Sequence, residues 1–287
     1  MRSFHYVIAV LLAGGIGGGS VQQARGAGLP ACPDTGVITQ SCQMTKKPMR
    51  PLSIAAHNVI LECNGHVNAI EPAPKESPAV GIDVISKENV QLRNCFVMKF
   101  DKGIRIVASR NVSIFNPLVN YNRIGIEIRG TTGFVRVQGE GGLHFNEFGI
   151  DARGAENVLL RGSAPPGDWL RIDDNHYGAR FRDINQLEVQ RVHFFGSNEV
   201  GMAYVWLNPT PPEGVSGGAA PRFRDTVFTA NKVGLMILTE HNTPVHLEDT
   251  VECVQNTVDV QHYDNRPAPT GGAVGRWACD NIQTVAD

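Results

Sequence analysis

The chain has 287 residues, and its 26 Lys and Arg against 28 Asp and Glu give a formal net charge of -2. This balance offers no electrostatic attraction to nucleic acid or to an anionic membrane surface, so neither is expected as a partner. Charged residues make up 19% and hydrophobic residues 42% of the chain, which supplies a core and excludes general disorder. The 31 glycines and 17 prolines follow no Gly-x-y period, so they indicate turns and exclude collagen.

The N-terminus has the features of a secretory signal peptide over residues 1–26. Arg2 is positively charged, Tyr6 to Ile16 is an apolar run too short to span a bilayer, and Ala24-Arg25-Gly26 offers small residues for cleavage. No later stretch approaches the roughly 20 apolar residues of a membrane helix. We therefore expect a secreted or periplasmic protein whose mature chain does not insert into a membrane. An uncleaved N-terminal anchor is the alternative.

Three short elements repeat along the chain, and their spacing decides the fold. A glycine followed by mostly apolar alternate residues recurs at intervals of 22, 22, 24, 29, 23 and 33 residues, at Gly81, Gly103, Gly125, Gly149, Gly178, Gly201 and Gly234. An Asn-Val pair recurs at Asn58, Asn89, Asn111 and Asn157, and Asn-x-apolar-Gly recurs at Asn122, Asn146, Asn175, Asn198 and Asn231. Asn and Gly tolerate left-handed backbone and satisfy turn amides, so the repeats predict one equivalent turn in every coil.

The repeated segments alternate with a period of two, which is typical of β-strands. Ile104 and Ile106, or Ile126 and Ile128, occupy one face, and Arg105 or Glu127 occupies the other. A single coil cannot bury such an apolar stripe, but coils stacked about 4.8 Å apart align it into a continuous core. The sequence therefore predicts an all-β parallel β-helix. A leucine-rich repeat has similar periods but needs a Leu-x-x-Leu-x-Leu pattern, which is absent.

From residue 53 to about 264 these units resemble the right-handed parallel β-helix superfamily, which includes pectate-lyase-like and NosD-like periplasmic proteins. The segment from Asn58 to His66 is similar to the opening coil of such proteins. The resemblance implies a single-stranded right-handed solenoid of about eight to nine coils over residues 53–264. Residues 27–52 would form an N-terminal cap and residues 265–287 a C-terminal cap or tail. Superfamily members include polysaccharide lyases, polygalacturonases and sugar epimerases, so a glycan is the expected partner.

The cysteines are even in number, which favours disulfide bonds in an oxidising compartment over a metal cluster. Six cysteines allow 15 pairings. Cys63 and Cys95 follow equivalent Asn-Val strands on successive coils, which brings their Cα atoms within disulfide range. The remaining local pairs are Cys32 with Cys42 and Cys253 with Cys279.

The catalytic signatures of the superfamily are missing. Of the four polygalacturonase motifs only the aspartate pair Asp173-Asp174 is present, and the Trp-x-Asp-His, Arg-x-Pro and Asp-Pro-His-Asp motifs of lyases and epimerases are absent. No catalytic residue is therefore carried over from a family, and candidate residues must come from the stacking of the coils.

Stacking predicts two exposed columns, at the second and fourth residues after each repeat glycine. Glu127, Asp151 and Arg180 of the first column are candidate catalytic residues, the carboxylates as general acid and base. Arg129, Arg153 and Arg182 of the second column are candidate ligands for a uronate or sulfated sugar, because guanidinium groups pair with carboxylate and sulfate. The alternative is that these charges form ion pairs that keep the sheet soluble.

A second candidate region lies around the insertion before Arg171. Trp169 offers a ring that can stack on a sugar, and His176 can transfer protons near neutral pH. No cofactor is expected, although calcium bound by Glu127 and Asp151 stays open. The sequence thus predicts a β-helix protein that acts on or binds an acidic polysaccharide, as a lyase, hydrolase or epimerase. The alternatives are a non-enzymatic carbohydrate-binding protein and a structural protein of the cell envelope. The oligomeric state is not predicted.

Overall fold

A computed structural model describes residues 28–46, 51–65, 80–163, 169–196, 199–206, 221–239, 246–247, 250–263, 279 and 282–285. Within these residues the chain forms β-strands, turns and bends, without a helix. No helix of the described residues is therefore long and apolar enough to cross a membrane. The predicted signal peptide, residues 1–26, lies outside the described residues.

The strands follow one another at short intervals and most have three to seven residues. In the first half they are β1 (Val37–Ile38), β2 (Cys42–Gln43), β3 (Leu52–Ile54), β4 (Ile60–Glu62), β5 (Val80–Ile85), β6 (Glu88–Arg93), β7 (Phe96–Met98), β8 (Lys102–Val107), β9 (Arg110–Phe115), β10 (Leu118–Asn120), β11 (Ile124–Arg129), β12 (Thr132–Gln138), β13 (Gly141–His144) and β14 (Phe148–Arg153). In the second half they are β15 (Asn157–Arg161), β16 (Leu170–Asp173), β17 (Tyr177–Arg182), β18 (Gln186–Gln190), β19 (Val192–Phe195), β20 (Val200–Trp206), β21 (Arg222–Arg224), β22 (Val227–Thr229), β23 (Val233–Thr239), β24 (His246–Leu247), β25 (Glu252–Val254), β26 (Val258–Tyr263) and β27 (Ile282–Val285).

These strands form three sheets in which every pairing is parallel. The eleven-stranded sheet has the order β1-β3-β5-β8-β11-β14-β17-β20-β23-β26-β27, the nine-stranded sheet β2-β4-β6-β9-β12-β15-β18-β21-β24, and the seven-stranded sheet β25-β22-β19-β16-β13-β10-β7. From β5 to β26 each sheet takes every third strand, so the chain passes once through all three sheets per coil. The structure is a parallel β-helix, as the repeats predict. The number of coils and the cap boundaries stay predictions, although β1 and β2, which lie in residues 27–52, already pair with β3 and β4.

The core is the column of apolar residues that the alternation predicts. Ile82, Ile104, Ile126 and Ile150 lie in register on β5, β8, β11 and β14, and all four are fully buried. Each large apolar side chain buried in this way contributes roughly 1.5 to 3 kcal/mol. The assignment of inward and outward faces is therefore confirmed.

The repeat glycines are required for a different reason from the one that the sequence suggests. Gly125 does not have a positive φ, and neither do Asn122 and Asn146, so left-handed backbone does not explain the Asn-x-apolar-Gly motif. Instead, a Cβ at Gly125 would stand 2.5 Å from the carbonyl oxygen of Gly149 on the next coil. The left-handed position is the residue just before the asparagine, such as Tyr121 at φ 55°. Close approach of neighbouring coils is what requires glycine here.

The asparagines form a buried ladder at the turn between the seven-stranded and the eleven-stranded sheets. Asn146 Oδ1 accepts hydrogen bonds from the backbone nitrogen of Asn122 at 2.9 Å and from its Nδ2 at 3.1 Å. Asn175 Oδ1 accepts the same two bonds from Asn146, both at 2.9 Å. Two exposed ladders follow the other corners, where Asn89 Oδ1 accepts a hydrogen bond from Asn111 Nδ2 and Asn94 Oδ1 accepts one from Asn116 Nδ2. The prediction that these residues satisfy turn amides is confirmed.

The three disulfide bonds are those that the sequence favours. Cys63 is bonded to Cys95 with a Cα–Cα distance of 4.8 Å, and the other pairs are Cys32–Cys42 and Cys253–Cys279. Cys63–Cys95 ties one coil to the next, close to the strand spacing of about 4.8 Å. No cysteine is free.

Replacing Asn146 by Ala should lower the free energy of unfolding by at least about 2 kcal/mol, because it leaves the backbone N–H of Asn122 buried without its acceptor and removes the buried bonds from Asn146 Nδ2 to Val119 O and Asn175 Oδ1. Asn157→Ala is the matched control, since Asn157 Nδ2 makes one partly buried bond to Gly133 O at 2.8 Å. We expect less than about 1 kcal/mol for the control. Urea denaturation of the two variants measures the difference. Equal losses would mean that the buried ladder has no special role.

Candidate functional site

The outer face of the eleven-stranded sheet carries both predicted columns in the predicted register. Glu127 pairs with Arg105 on one side and Asp151 on the other, and Asp151 pairs with Arg180. Arg129, Arg153 and Arg182 are likewise aligned on β11, β14 and β17. Stacking therefore brings six charged side chains together on three adjacent strands.

The carboxylates are the centre of an ion-pair network. Glu127 Oε2 lies 3.0 Å from Lys102 Nζ, and Glu127 Oε1 lies 3.3 Å from Arg129 Nε. Asp151 Oδ2 accepts a hydrogen bond from Arg129 Nη2 at 2.7 Å, and Asp151 Oδ1 accepts one from Arg180 Nε at 2.9 Å. Arg129 thus bridges two carboxylates that would otherwise repel each other on neighbouring strands.

The expectation that this first column is exposed is wrong for the two acids. Glu127 is 5% exposed and Asp151 is 1% exposed. Long basic side chains reach them along the sheet surface, from the neighbouring strand or from two residues away on the same strand, and exclude water from the carboxylates. A strand pattern shows which way a side chain points but not which neighbours fold over it.

Calcium does not fit this arrangement. A calcium ion takes six to eight oxygen ligands, and all four carboxylate oxygens of Glu127 and Asp151 already face a cationic nitrogen. Elsewhere among the described residues, no three His, Cys, Asp or Glu side chains form a group suited to a metal.

Arg153 and Arg182 differ from the other arginines of the network. Among the described residues, no carboxylate lies within 4.0 Å of either guanidinium, in contrast to Arg129 and Arg180. Arg153 is exposed, and the Nε of Arg182 is buried without a hydrogen-bond partner in the described part of the chain. Burial, together with the positive charge of Arg180, holds the pKa of Arg182 below its ordinary value. An arginine remains protonated near neutral pH even so, so the described residues leave two positive charges without a carboxylate partner.

Aromatic rings flank the network along the residues that precede the repeat glycines. Phe148 and Tyr177 stack with ring centroids 5.1 Å apart. The Arg180 guanidinium lies over the Phe148 ring, 4.2 Å from its centroid. This cation–π contact and the bond to Asp151 fix Arg180 in place.

The structure does not bring Trp169 or His176 to the arginines. Trp169 precedes β16 of the seven-stranded sheet, and its ring contacts His193 edge-on at 6.4 Å. His176 lies in the turn between the two sheets, where its Nε2 is 2.8 Å from Glu199 Oε2. The sequence also indicates a long Pro- and Gly-rich insertion from Asn208 to Pro221, which lies outside the described residues apart from Pro221. The predicted site therefore divides into separate parts.

A groove that the sequence did not predict lies beside Trp169, on the outer face of the seven-stranded sheet. It has a volume of about 390 Å³, and its lining includes Leu118, Glu140, Gly142, His144, Trp169 and Arg171. We call it the Gly142 groove. Gly142 lies between Leu118 and Arg171 in the strand register, so a missing side chain in an otherwise filled column was the signal available in the sequence.

No protein-family model matches the chain, and no curated protein matches it in sequence. Structure comparison aligns it with the A-module of a mannuronan C-5 epimerase from Azotobacter vinelandii, at 11% identity and a TM-score of 0.40, over 87% of this chain and 80% of that one. It also aligns with a GH87 alpha-1,3-glucanase catalytic domain (11% identity, TM-score 0.32, 86% and 60% of the two chains). An alginate lyase from Paenibacillus sp. aligns at 10% identity and a TM-score of 0.27, over 86% and 89%. The parallel β-helix of this chain follows from its own sheets, and the three activities are those of the other proteins.

Replacing Asp151 by Asn should lower the free energy of unfolding by about 3 kcal/mol, because it leaves Arg129 and Arg180 without their shared buried carboxylate. The matched control is Asp83→Asn, since Asp83 is more exposed and, in the described part of the chain, pairs with Arg105 alone, at 2.5 Å. We expect about 1 kcal/mol or less for the control. Thermal and urea denaturation measure both changes. A larger loss for Asp83→Asn would refute the central place of Asp151 in the network.

Proposed function

We propose that this protein binds an acidic polysaccharide along the outer face of the eleven-stranded sheet. The observation that supports the proposal is the pair Arg153 and Arg182, two guanidinium groups on adjacent strands without a carboxylate partner among the described residues. On β11, β14 and β17 this face carries four arginines and two acids, so positive charge is in excess. An extended anionic chain is the ligand that this excess favours.

Geometry favours a polymer over a small anion. Arg153 and Arg182 occupy one column, and parallel strands repeat at about 4.8 Å. That interval is close to the rise per sugar of an extended polysaccharide, so successive acidic groups can each meet a guanidinium. Carboxylate and sulfate both suit bidentate pairing with arginine. Arg129 completes the predicted column, although its two bonds to acids make it an anchor of the network as well.

The buried Nε of Arg182 supports the same ligand. A buried donor without a partner is unfavourable by roughly 1–3 kcal/mol, and native proteins rarely keep one without a reason. An anion that draws the guanidinium outward, or reaches it from the sheet surface, would relieve this cost. The fold does not itself require arginine at this position, since apolar side chains such as Val107 and Val205 occupy the same column on other strands.

A binding role accounts for the two carboxylates better than catalysis does. Each oxygen of Glu127 and Asp151 already faces a cation, whereas a general base must reach a proton of the substrate. The catalytic roles of Glu127, Asp151 and Arg180 in a lyase, hydrolase or epimerase therefore stay a prediction. We propose that these residues hold the arginine side chains in place for the ligand.

Export of the protein is part of the proposal. Three disulfide bonds favour an oxidising compartment, and the N-terminal sequence has the features of a signal peptide. Both are consistent with a secreted or periplasmic protein that meets polysaccharides of the cell surface or of the surroundings.

Replacing Arg153 and Arg182 together by Ala should abolish retention on immobilised alginate, pectate and heparin, because it removes the two positive charges that have no carboxylate partner among the described residues. The double variant Arg136→Ala and Arg161→Ala is the control, since it removes equal charge from the nine-stranded sheet. Retention of the control should match that of the native protein, and circular dichroism checks that both variants fold. If the native protein is not retained, or if both double variants lose retention equally, this site is wrong.

The native protein should produce no rise in absorbance at 235 nm with alginate or pectate, because the carboxylates have no free oxygen to act as a base. Absorbance at this wavelength reports the unsaturated uronate that a lyase releases. A rise that Glu127→Gln abolishes would contradict the binding role and support the catalytic one.

A further inference from the structure

The Gly142 groove exists because one position of a filled column lacks a side chain. Along the outer face of the seven-stranded sheet, Leu118, Gly142, Arg171 and His193 align on β10, β13, β16 and β19. Gly142 has no side chain, so it forms the floor between Leu118 and Arg171. The resulting volume of about 390 Å³ falls within the range of small-molecule sites, roughly 300 to 1,000 Å³.

His144 lies over this floor in a fixed orientation. Its Nδ1 contacts Asp173 Oδ1 on the adjacent strand, and the two residues are in register. The Asp173 carboxylate holds the ring through Nδ1. A Cβ at Gly142 would overlap Nε2, so the Nε2 edge of the ring packs on the Gly142 backbone and the ring needs the glycine.

Trp169 gives the groove an aromatic wall. The ring lines the groove and is half-buried, and His193 supports it edge-on at a centroid distance of 6.4 Å. A sugar ring presents carbon-bound hydrogens on its face and hydroxyl groups at its edge. An aromatic ring beside hydrogen-bonding side chains matches both surfaces.

The charges of the Gly142 groove differ from those of the arginine columns. Arg171 and Glu140 are opposite in sign, and Asp173 adds a negative charge beside His144. Burial lowers the pKa of His193 below its ordinary value and outweighs the opposing effect of Asp173. This ring is therefore neutral at neutral pH. Positive charge is therefore not in excess here, and the groove offers an acidic sugar no net electrostatic attraction.

We infer that the Gly142 groove binds an uncharged sugar residue, which stacks on Trp169 and contacts the His144 ring. Arg171 and Glu140 contact hydroxyl groups at the rim. This site is on a different sheet from the arginine columns and takes a different ligand class, so it does not rest on the proposed binding of an acidic polysaccharide.

The test uses isothermal titration of the full chain with cellohexaose, laminarihexaose, maltohexaose and mannohexaose. We expect at least one of these neutral hexasaccharides to bind, and Trp169→Ala to weaken that binding about tenfold. Phe134→Ala is the control, because it removes a half-buried ring of the nine-stranded sheet and should leave binding unchanged.

A second variant keeps the test decisive if Trp169→Ala folds poorly. In Gly142→Ala the new Cβ meets only the end of the His144 side chain, which can rotate away, so the protein should fold and binding should fall. The inference is overturned if none of the four hexasaccharides binds, or if both variants bind like the native protein. It is also overturned if replacing Arg153 and Arg182 removes the binding instead.

Discussion

The register between coils is the constraint on which the rest of this structure depends, and the buried asparagine ladder helps to hold it. The side-chain oxygens of Asn146 and Asn175 each accept two hydrogen bonds from the asparagine of the preceding coil. A coil that slipped by one residue would lose these bonds and would turn its apolar residues outward. Satisfied polar groups inside the turn therefore fix which residue stacks on which, and hydrophobic burial then stabilises that one arrangement.

Fixed stacking makes the pattern of charge along a column informative. Like charges directly opposite one another are unfavourable in a sheet, and opposite charges are favourable. The first column largely obeys this rule, because Asp83, Arg105 and Glu127 alternate and Arg129 bridges the one exception, Glu127 beside Asp151. The second column breaks the rule, because Arg129, Arg153 and Arg182 stack three positive charges in a row. Such a departure points to a ligand more clearly than the presence of arginine alone.

The fold was predictable from the sequence because the repeat is local and periodic. Spacings near 22 residues define the coil, alternation at Ile104 and Ile126 defines the inner face, and equivalent strands bring Cys63 to Cys95. The burial of Asp151 was not predictable, because it depends on how the side chains of Arg129 and Arg180 lie across the sheet. The reason for the repeat glycines was also missed, since close approach to a neighbouring coil leaves no mark in the sequence other than the glycine.

The Gly142 groove escaped prediction for a related reason. The strands of the seven-stranded sheet are short, three or four residues, and their outer positions vary, so no column stands out before the strands are aligned. Once they are aligned, Gly142 is a gap between Leu118 and Arg171, and His144 and Asp173 become neighbours although 29 residues separate them in the chain. A solenoid repeats its backbone in every coil, so sites arise where single side chains depart from the repeat: an excess of charge in one column and a missing side chain in another. The two sheets can therefore hold ligands of different chemistry on one uniform scaffold.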